Sequence, residues 1–437
     1  MKPVRKMSAD YVVVGSGPGG ATVARELSVL GKRVILLERG ADHQFYGNLV
    51  GCAFMLERLG FTWTVEGHSM LRALTTGGSS MIYGAAAIDP PKWLKQNHDI
   101  DLAPYVTALK NELRIKPTPD HMIGPRAKMI MKAAHDLDIP WEPMNKFIDH
   151  DRCDQKCPEC LYGCKKEGVK WTARDYAYEA VRNGATLINK ATVRKVKITN
   201  GKALGVIADT PGGRLDVTSK VTVISAGGLG TPTILLRSGL TEAGDRLFAD
   251  PLIITYGTVG KDVPDSPKEP PMLCGKLDNA DGLLIGDLPE PLPMFILQMF
   301  YKGIGKMRHA LDFSRRLAVM VKVRDEMEGY VRADETCSKH YTLPDLEKME
   351  RGIEISRQIL LKAGCDPRSI VSTPPRAAHP GSTARIGKIV DRDLETKIKN
   401  LYVCDASVLP ESCGIPPVLT ILAFGKRLVG ERLKHVV

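Results

Sequence analysis

The chain has 437 residues, enough for one large domain or two intertwined ones with a sizeable buried core. Apolar residues make up 43% and charged residues 25%, which excludes a disordered chain, and no apolar run reaches the length of a membrane span. The net charge of +11 points to an anionic substrate, an acidic partner, an anionic membrane surface or simply a solvated basic face. Lys and Arg are scattered without a dense run, which argues against nucleic acid.

In chain order, residues 10–14 read as a strand, followed by a glycine turn and a helix over 19–30. Ala24, Leu27 and Leu30 recur there at helical spacing. A second strand, 33–37, ends at Glu38, so the chain opens on a βαβ unit and a parallel sheet. The apolar run Tyr11-Val12-Val13-Val14 is too short for a signal-peptide core, and the expected location is the cytoplasm. A Gly/Ser loop occupies 75–80, a polar stretch of helical character 101–151, and a helix 173–183. Strands at 185–189, 192–199 and 203–209 read as a meander. Strand 221–225 leads to a glycine turn and a helix over 231–238.

From 241 to 375 prolines are frequent. Met294-Phe295-Ile296-Leu297 and Leu317-Ala318-Val319-Met320-Val321 read as strands of a separate sheet, the first either a core strand or a wall of an apolar pocket. An amphipathic helix spans 343–363, with Pro344 in its first turn and Gly364 just past its end, where each is favoured.

Gly15-Ser16-Gly17-Pro18-Gly19-Gly20 fits the dinucleotide fingerprint G-x-G-x-x-G between a strand and a helix. Gly15 permits the turn, Gly17 lets backbone approach a pyrophosphate, and Gly20 lets helix pack on strand. The helix N-terminus offers free N–H groups to phosphate. Glu38 is placed to accept hydrogen bonds from ribose hydroxyls. The fingerprint does not separate FAD from NAD(P).

Four further segments bear on that choice. Thr76-Gly77-Gly78-Ser79-Ser80 resembles the flavin-contacting loop of the glucose–methanol–choline oxidoreductases. Ser225-Ala226-Gly227-Gly228-Leu229-Gly230-Thr231-Pro232 is similar to that family's second signature. His379-Pro380-Gly381-Ser382-Thr383-Ala384-Arg385-Ile386-Gly387 resembles its histidine motif. Asn400-Leu401-Tyr402-Val403-Cys404-Asp405-Ala406 resembles the strand and turn that carry an Asp to the flavin. The resemblance implies FAD, a Rossmann-type α/β FAD-binding domain with a parallel sheet, and a smaller α+β substrate domain on an antiparallel sheet. The FAD-binding domain is expected in three parts, 1–95, 171–240 and 376–437, with a helical and cysteine-rich insertion at 96–170 and the substrate domain at 241–375. Implied cofactor contacts are Gly15, Gly17, Pro18, Gly20, Glu38, Arg39, Gly77, Gly78, Ser79, Ser80, Val193, Ala226, Gly227, Asp405, Ala406 and Pro417.

The implied reaction is hydride transfer from an alcohol carbon to flavin N5. Removing the hydroxyl proton as hydride leaves suits a histidine of near-neutral pKa, and His379 is the candidate base. The family usually places a second His or Asn in the following loop. Here Pro416 occupies that position, and Cys413 in the same loop is a second catalytic candidate. Two alternatives stay open: a flavin-dependent reductase of a ketone or conjugated alkene, and a non-redox lyase or structural subunit that keeps FAD.

Four of the ten cysteines, Cys153, Cys157, Cys160 and Cys164, crowd one loop. In a cytoplasmic protein such spacing points to metal or redox work, with a 4Fe–4S cluster, tetrahedral zinc and free thiols as the readings. The resemblance covers this loop too, with the Gly-x-Lys segment Gly168-Val169-Lys170 after it. A cluster there would pass electrons from reduced FAD to a protein acceptor, making the enzyme a dehydrogenase.

Overall fold

The computed structural model describes residues 4–60, 63–154, 157, 159–261, 263, 269–278 and 282–436. Strand β1 (Val4–Val14) passes through the glycine turn into helix α1 (Pro18–Val29) and returns along β2 (Val34–Leu37), parallel to it. Tyr11 to Val14 is apolar throughout because β1 is buried and has a neighbour on each edge. Helix α2 (Leu49–Met55) follows, capped by the Asn48 side chain on Gly51 N–H. The polar stretch expected to be helical breaks into α3 (Ala103–Glu112) and α4 (Pro125–His135). Between and after them Pro117, Pro119, Pro140 and Pro143 forbid continuation, and Lys116–Pro117 pairs with Asn145–Lys146 instead.

Helix α5 (Ala173–Arg182) starts at a Thr172/Asp175 capping box. Strand β3 (Thr186–Ile188) differs from expectation: it pairs in parallel with β2 and takes no part in the meander. The meander consists of β4 (Thr192–Thr199), β5 (Lys202–Thr210) and β6 (Gly213–Ile224), all antiparallel. Strand β6 is longer than its apolar end suggests, because its first half alternates buried and exposed residues. Helix α6 (Gly227–Arg237) leaves from its tip.

A second sheet holds β7 (Pro251–Thr258), β8 (Cys274–Asp278) and β9 (Leu283–Asp287). Residues 292–301, expected to hold a strand at 294–297, instead form helix α7 (Leu292–Tyr301). Pro291 and Pro293 suit its N-terminus, and Ile296 is its single β-branched residue. Strand β10 (Arg316–Val323) is the expected apolar one. The sheet runs Ser69–Met70, Arg376–Ala377, β7, β10, β9, β8, Glu142–Pro143, with β7 to β10 antiparallel to their neighbours. Helix α8 (Leu343–Lys362) covers it, starting at Thr342 with a Thr342/Asp345 capping box. Gly352 brings α8 close: a Cβ there would lie 2.4 Å from Val321 Cγ1.

Strand β11 (Leu401–Val403) returns to the first sheet, parallel to the end of β6. Helix α9 (Val418–Glu431) packs on α1, where a Cβ on Gly425 would touch Thr22 at 2.9 Å. Among the described residues no helix is long and apolar enough to cross a membrane.

Candidate active site

A cavity of about 410 Å³ lies between the two sheets and runs from the glycine turn to β7 and β10. Gly15, Gly17, Pro18, Glu38 and Arg39 line it from the N-terminal unit. Gly78, Ser79 and Ser80 come from the Gly/Ser loop and Val193 from β4. Ala226 and Gly227 arrive with α6, and Asp405, Ala406 and Pro417 from the C-terminal segment. Gly20 and Gly77 are not in the lining; they shape it. A Cβ on Gly20 would lie 1.9 Å from Gly15 O, and Gly77 N donates to Ser16 Oγ at 3.1 Å.

Gly15 has φ +97°, and a Cβ there would sit 2.2 Å from Ser225 O, so the turn closes against the end of β6 only as glycine. Glu38 is buried and holds this turn. Its Oε2 accepts Ser16 N (2.9 Å) and Ser16 Oγ (2.6 Å), and its Oε1 accepts Gly40 N (2.7 Å). Three of about four lone-pair sites on the carboxylate are taken, which leaves room for one ribose hydroxyl. Asp405 is likewise committed. Oδ2 accepts Gly227 N (2.8 Å) and Thr231 Oγ1 (2.5 Å), and Oδ1 accepts Ser407 N (2.8 Å) and Oγ (2.5 Å). It fixes the N-terminus of α6 at the cavity wall, although burial pushes its carboxyl up.

His379 lines the opposite end, with 24% of its side-chain surface open. Its Nδ1 lies 3.2 Å from Asp250 Oδ2 and 2.9 Å from Lys322 Nζ. Both partners are buried. Asp250 Oδ1 accepts Gly414 N at 2.7 Å, and Lys322 Nζ also donates to Asp250 O at 3.2 Å. The pairing of Leu252 with Lys322 across β7 and β10 puts these groups together. Behind them Asp325, ion-paired with buried Lys339 at 2.9 Å, accepts Ala249 N and Asp250 N at 2.9 and 3.0 Å. Burial, with the Lys322 ammonium beside it, pushes the His379 imidazole down to about 4, against the pull of Asp250. Burial pushes Lys322 down as well, against Asp250 and Asp325. Asp250 carries no sequence signal. Lys322 does: it is the one charge inside the apolar run 317–323.

Pro416 lines the cavity, while Cys413 does not. Cys413 is buried near Asp250 and Lys322, and burial holds its thiol well above the usual range, which suits packing rather than nucleophilic work. Leu56, Leu252, Leu288, Met272, Met294 and Met320 make the rest of this end largely apolar. A buried ion pair breaks it: Glu290 accepts Arg376 Nη2 and Tyr256 OH, both at 2.8 Å.

The cysteine loop does not bring its thiols into a metal-holding group. Cys153, Cys157, Cys160 and Cys164 form no disulfide, and among the described residues no three His, Cys, Asp or Glu side chains come together as such a group. Neither a 4Fe–4S cluster nor zinc has support there. Cys153 Sγ faces Asp154 O at 3.9 Å and Cys164 Sγ faces Lys166 O at 3.4 Å. Burial pushes the Cys153 thiol up to about 12. What organises the loop is Lys170, whose buried Nζ donates to Cys160 O (2.8 Å), Met81 O (2.8 Å) and Tyr83 O (3.3 Å). It ties the loop to the segment after Ser80, and Leu161 of the loop lines the cavity.

The family profile described as GMC oxidoreductase matches residues 10–267, and its C-terminal counterpart matches 324–425. The chain belongs to the GMC oxidoreductase family. The "Uncharacterized protein MJ1450" of Methanocaldococcus jannaschii is 30% identical over 97% of this chain and 100% of its own length. "Long-chain-alcohol oxidase FAO3" of Arabidopsis thaliana is 25% identical over 96% of this chain and 67% of its own length. Pyridoxine 4-oxidase from Mesorbium loti shares the fold with a TM-score of 0.71 at 20% identity, covering 98% of this chain and 99% of that one. Formate oxidase of Aspergillus oryzae RIB40 gives 0.73 at 15% identity over 99% and 100%. Membership in this family implies FAD. The glycine cradle suits it, since a Cβ on Gly78 would crowd Gly17 Cα at 3.2 Å.

Proposed function

We propose that this chain oxidises a primary alcohol with an apolar chain, passing hydride to FAD while His379 takes the hydroxyl proton. The observation that carries the reading is the anchoring of His379 Nδ1 by Asp250 at 3.2 Å on the cavity wall. With Nδ1–H donated to Asp250, Nε2 is left as the lone-pair nitrogen for the alcohol proton. Asp250 then balances the imidazolium that forms, and Lys322 keeps the resting imidazole neutral. Bound FAD supplies the hydride acceptor; Glu38, the Gly15–Gly20 turn and the α6 N-terminus are the groups proposed to hold it. The apolar lining, and relatives named as long-chain-alcohol oxidases, support a long-chain substrate. Those names also speak for oxygen as the final acceptor, and no electron step is assigned to the cysteine loop.

The test is an anaerobic titration of the FAD-loaded protein with primary alcohols of rising chain length. Bleaching of the oxidised flavin band, faster with longer chains, is expected; no bleaching with any alcohol defeats the reading. Peroxide release in air, against turnover only with a dye, separates oxygen from a protein acceptor.

One contact favours a second reading. Lys322 Nζ is nearer to His379 Nδ1 than Asp250 is. A charged Lys322 donating there would leave a proton on Nε2, and His379 could pass that proton to a carbonyl oxygen as Lys322 gives its own to Nδ1, which suits carbonyl reduction. Reoxidation of pre-reduced protein by an aldehyde or ketone, with no bleaching by alcohols, would select it.

A further inference from the structure

Two separate segments leave large apolar side chains exposed beside the cavity. Phe54, Leu59 and Trp63 follow from α2, and Phe300, Ile304 and Leu311 lie on α7 and the turns after it. Ile304 is 79% and Leu311 87% exposed, the highest values among large apolar residues here. The segments meet: the rings of Trp63 and Tyr301 stack edge to face at 5.4 Å. Both also reach the cavity, Leu56, Arg58 and Trp63 from one side and Met294 from the other. Arg58 and Leu59 sit in the left-handed region at φ 50° and 58°, a conformation non-glycine residues avoid unless the turn is held for a purpose.

The charge on this surface is mainly positive. Residues 292–312 contain Lys302, Lys306 and Arg308 and one acid, Asp312, which is ion-paired with Arg315. Residues 44–60 add Arg58 and a single acid, Glu57, which is buried against Arg72. Apolar side chains interleaved with cations and edged by Trp and Tyr are the composition of a segment lying in a lipid interface. A second copy of the chain fits poorly, because a two-fold contact would set one mainly positive patch against another.

We propose that this surface docks the protein on an anionic lipid bilayer, with the cavity mouth facing the lipid. The docking stands without the alcohol chemistry. Joined to it, it gives an apolar substrate a path from bilayer to His379 that avoids water.

The test is co-sedimentation of the FAD-loaded protein with vesicles of phosphatidylcholine, with and without phosphatidylglycerol. The wild type is expected to bind the mixed vesicles and to be released by salt. Each cation near an anionic bilayer is worth roughly fivefold in affinity, so K302Q/K306Q/R308Q is expected to lose about a hundredfold. I304D/L311D, at exposed positions, is expected to lose binding while keeping its flavin spectrum, melting temperature and reduction by a short soluble alcohol. Wild type left in the supernatant, or I304D/L311D bound like wild type, overturns the proposal. So does a wild-type dimer that I304D/L311D makes monomeric, which would assign the patch to a second copy. Vesicle binding is read without substrate, so its failure and the failure of flavin reduction are separate results.

Discussion

The two ends of the cavity are built by different means. At the first sheet the wall is backbone: glycine turns, a helix N-terminus and two carboxylates that hold those turns in place. At the second sheet it is side chain: His379, Asp250, Lys322, Glu290 and Arg376, brought together by strand pairing and loop return across 129 residues in the case of Asp250 and His379. A backbone wall is specified locally, by glycine spacing. A side-chain wall is specified only by the completed sheet. Damage to the first should therefore remove the cofactor, and damage to the second should remove the chemistry and leave the cofactor bound.

Gly15→Val is the hardest break. Its Cβ would meet Ser225 O at 2.2 Å, so the purified variant is expected to lack flavin colour. Retention of stoichiometric flavin would show that the backbone wall yields. His379→Ala should keep FAD and slow substrate-driven flavin reduction by about 10²–10⁴-fold in anaerobic stopped flow. Equal loss of FAD in both variants would erase the contrast between the two ends. Lys170→Met removes three hydrogen bonds that tie the cysteine loop to the segment after Ser80 and should cost about 3 kcal/mol in urea unfolding.

The pH dependence sharpens the side-chain end. In the proposed mechanism flavin reduction needs neutral His379, so it should fall only as pH drops toward about 4. Lys322 disfavours the imidazolium, so Lys322→Met should move this acid limb upward, toward the ordinary imidazole value of about 6.5. Asp250 favours the imidazolium, so Asp250→Asn should move the limb downward. Shifts in the same direction for both variants would contradict the assigned roles. The smallest effect lies far from the cavity: Thr342→Ala removes the α8 cap and should cost about 1 kcal/mol by thermal or urea unfolding, with flavin reduction unchanged.

The same contrast explains what the sequence reveals. The glycine turn, β1, α1 and the capped helix α8 are legible because their signals are local. Residues 294–297 mislead because a short, wholly apolar run has no period to separate strand from helix. The cysteine spacing is legible in part: the four thiols lie within electrostatic reach of one another, but Lys170 gathers the loop by the Cys160 carbonyl and no metal-holding group forms among the described residues. Lys322 is half-legible, a lone cation in an apolar strand whose partners lie 72 and 57 residues away. Asp250 is invisible before the sheet forms.

Strand β11 extends this to the order of events at the ribosome. One edge of β6 runs along β1, while its tip is completed by Leu401–Val403 from near the end of the chain. Asp405, two residues later, anchors α6. A nascent chain with only the first 375 residues emerged thus owns the glycine turn without the strut that fixes its opposite wall. Cofactor capture is therefore expected to wait until residues 401–405 have emerged, so that flavin loading follows the synthesis of both walls rather than accompanying that of the glycine turn.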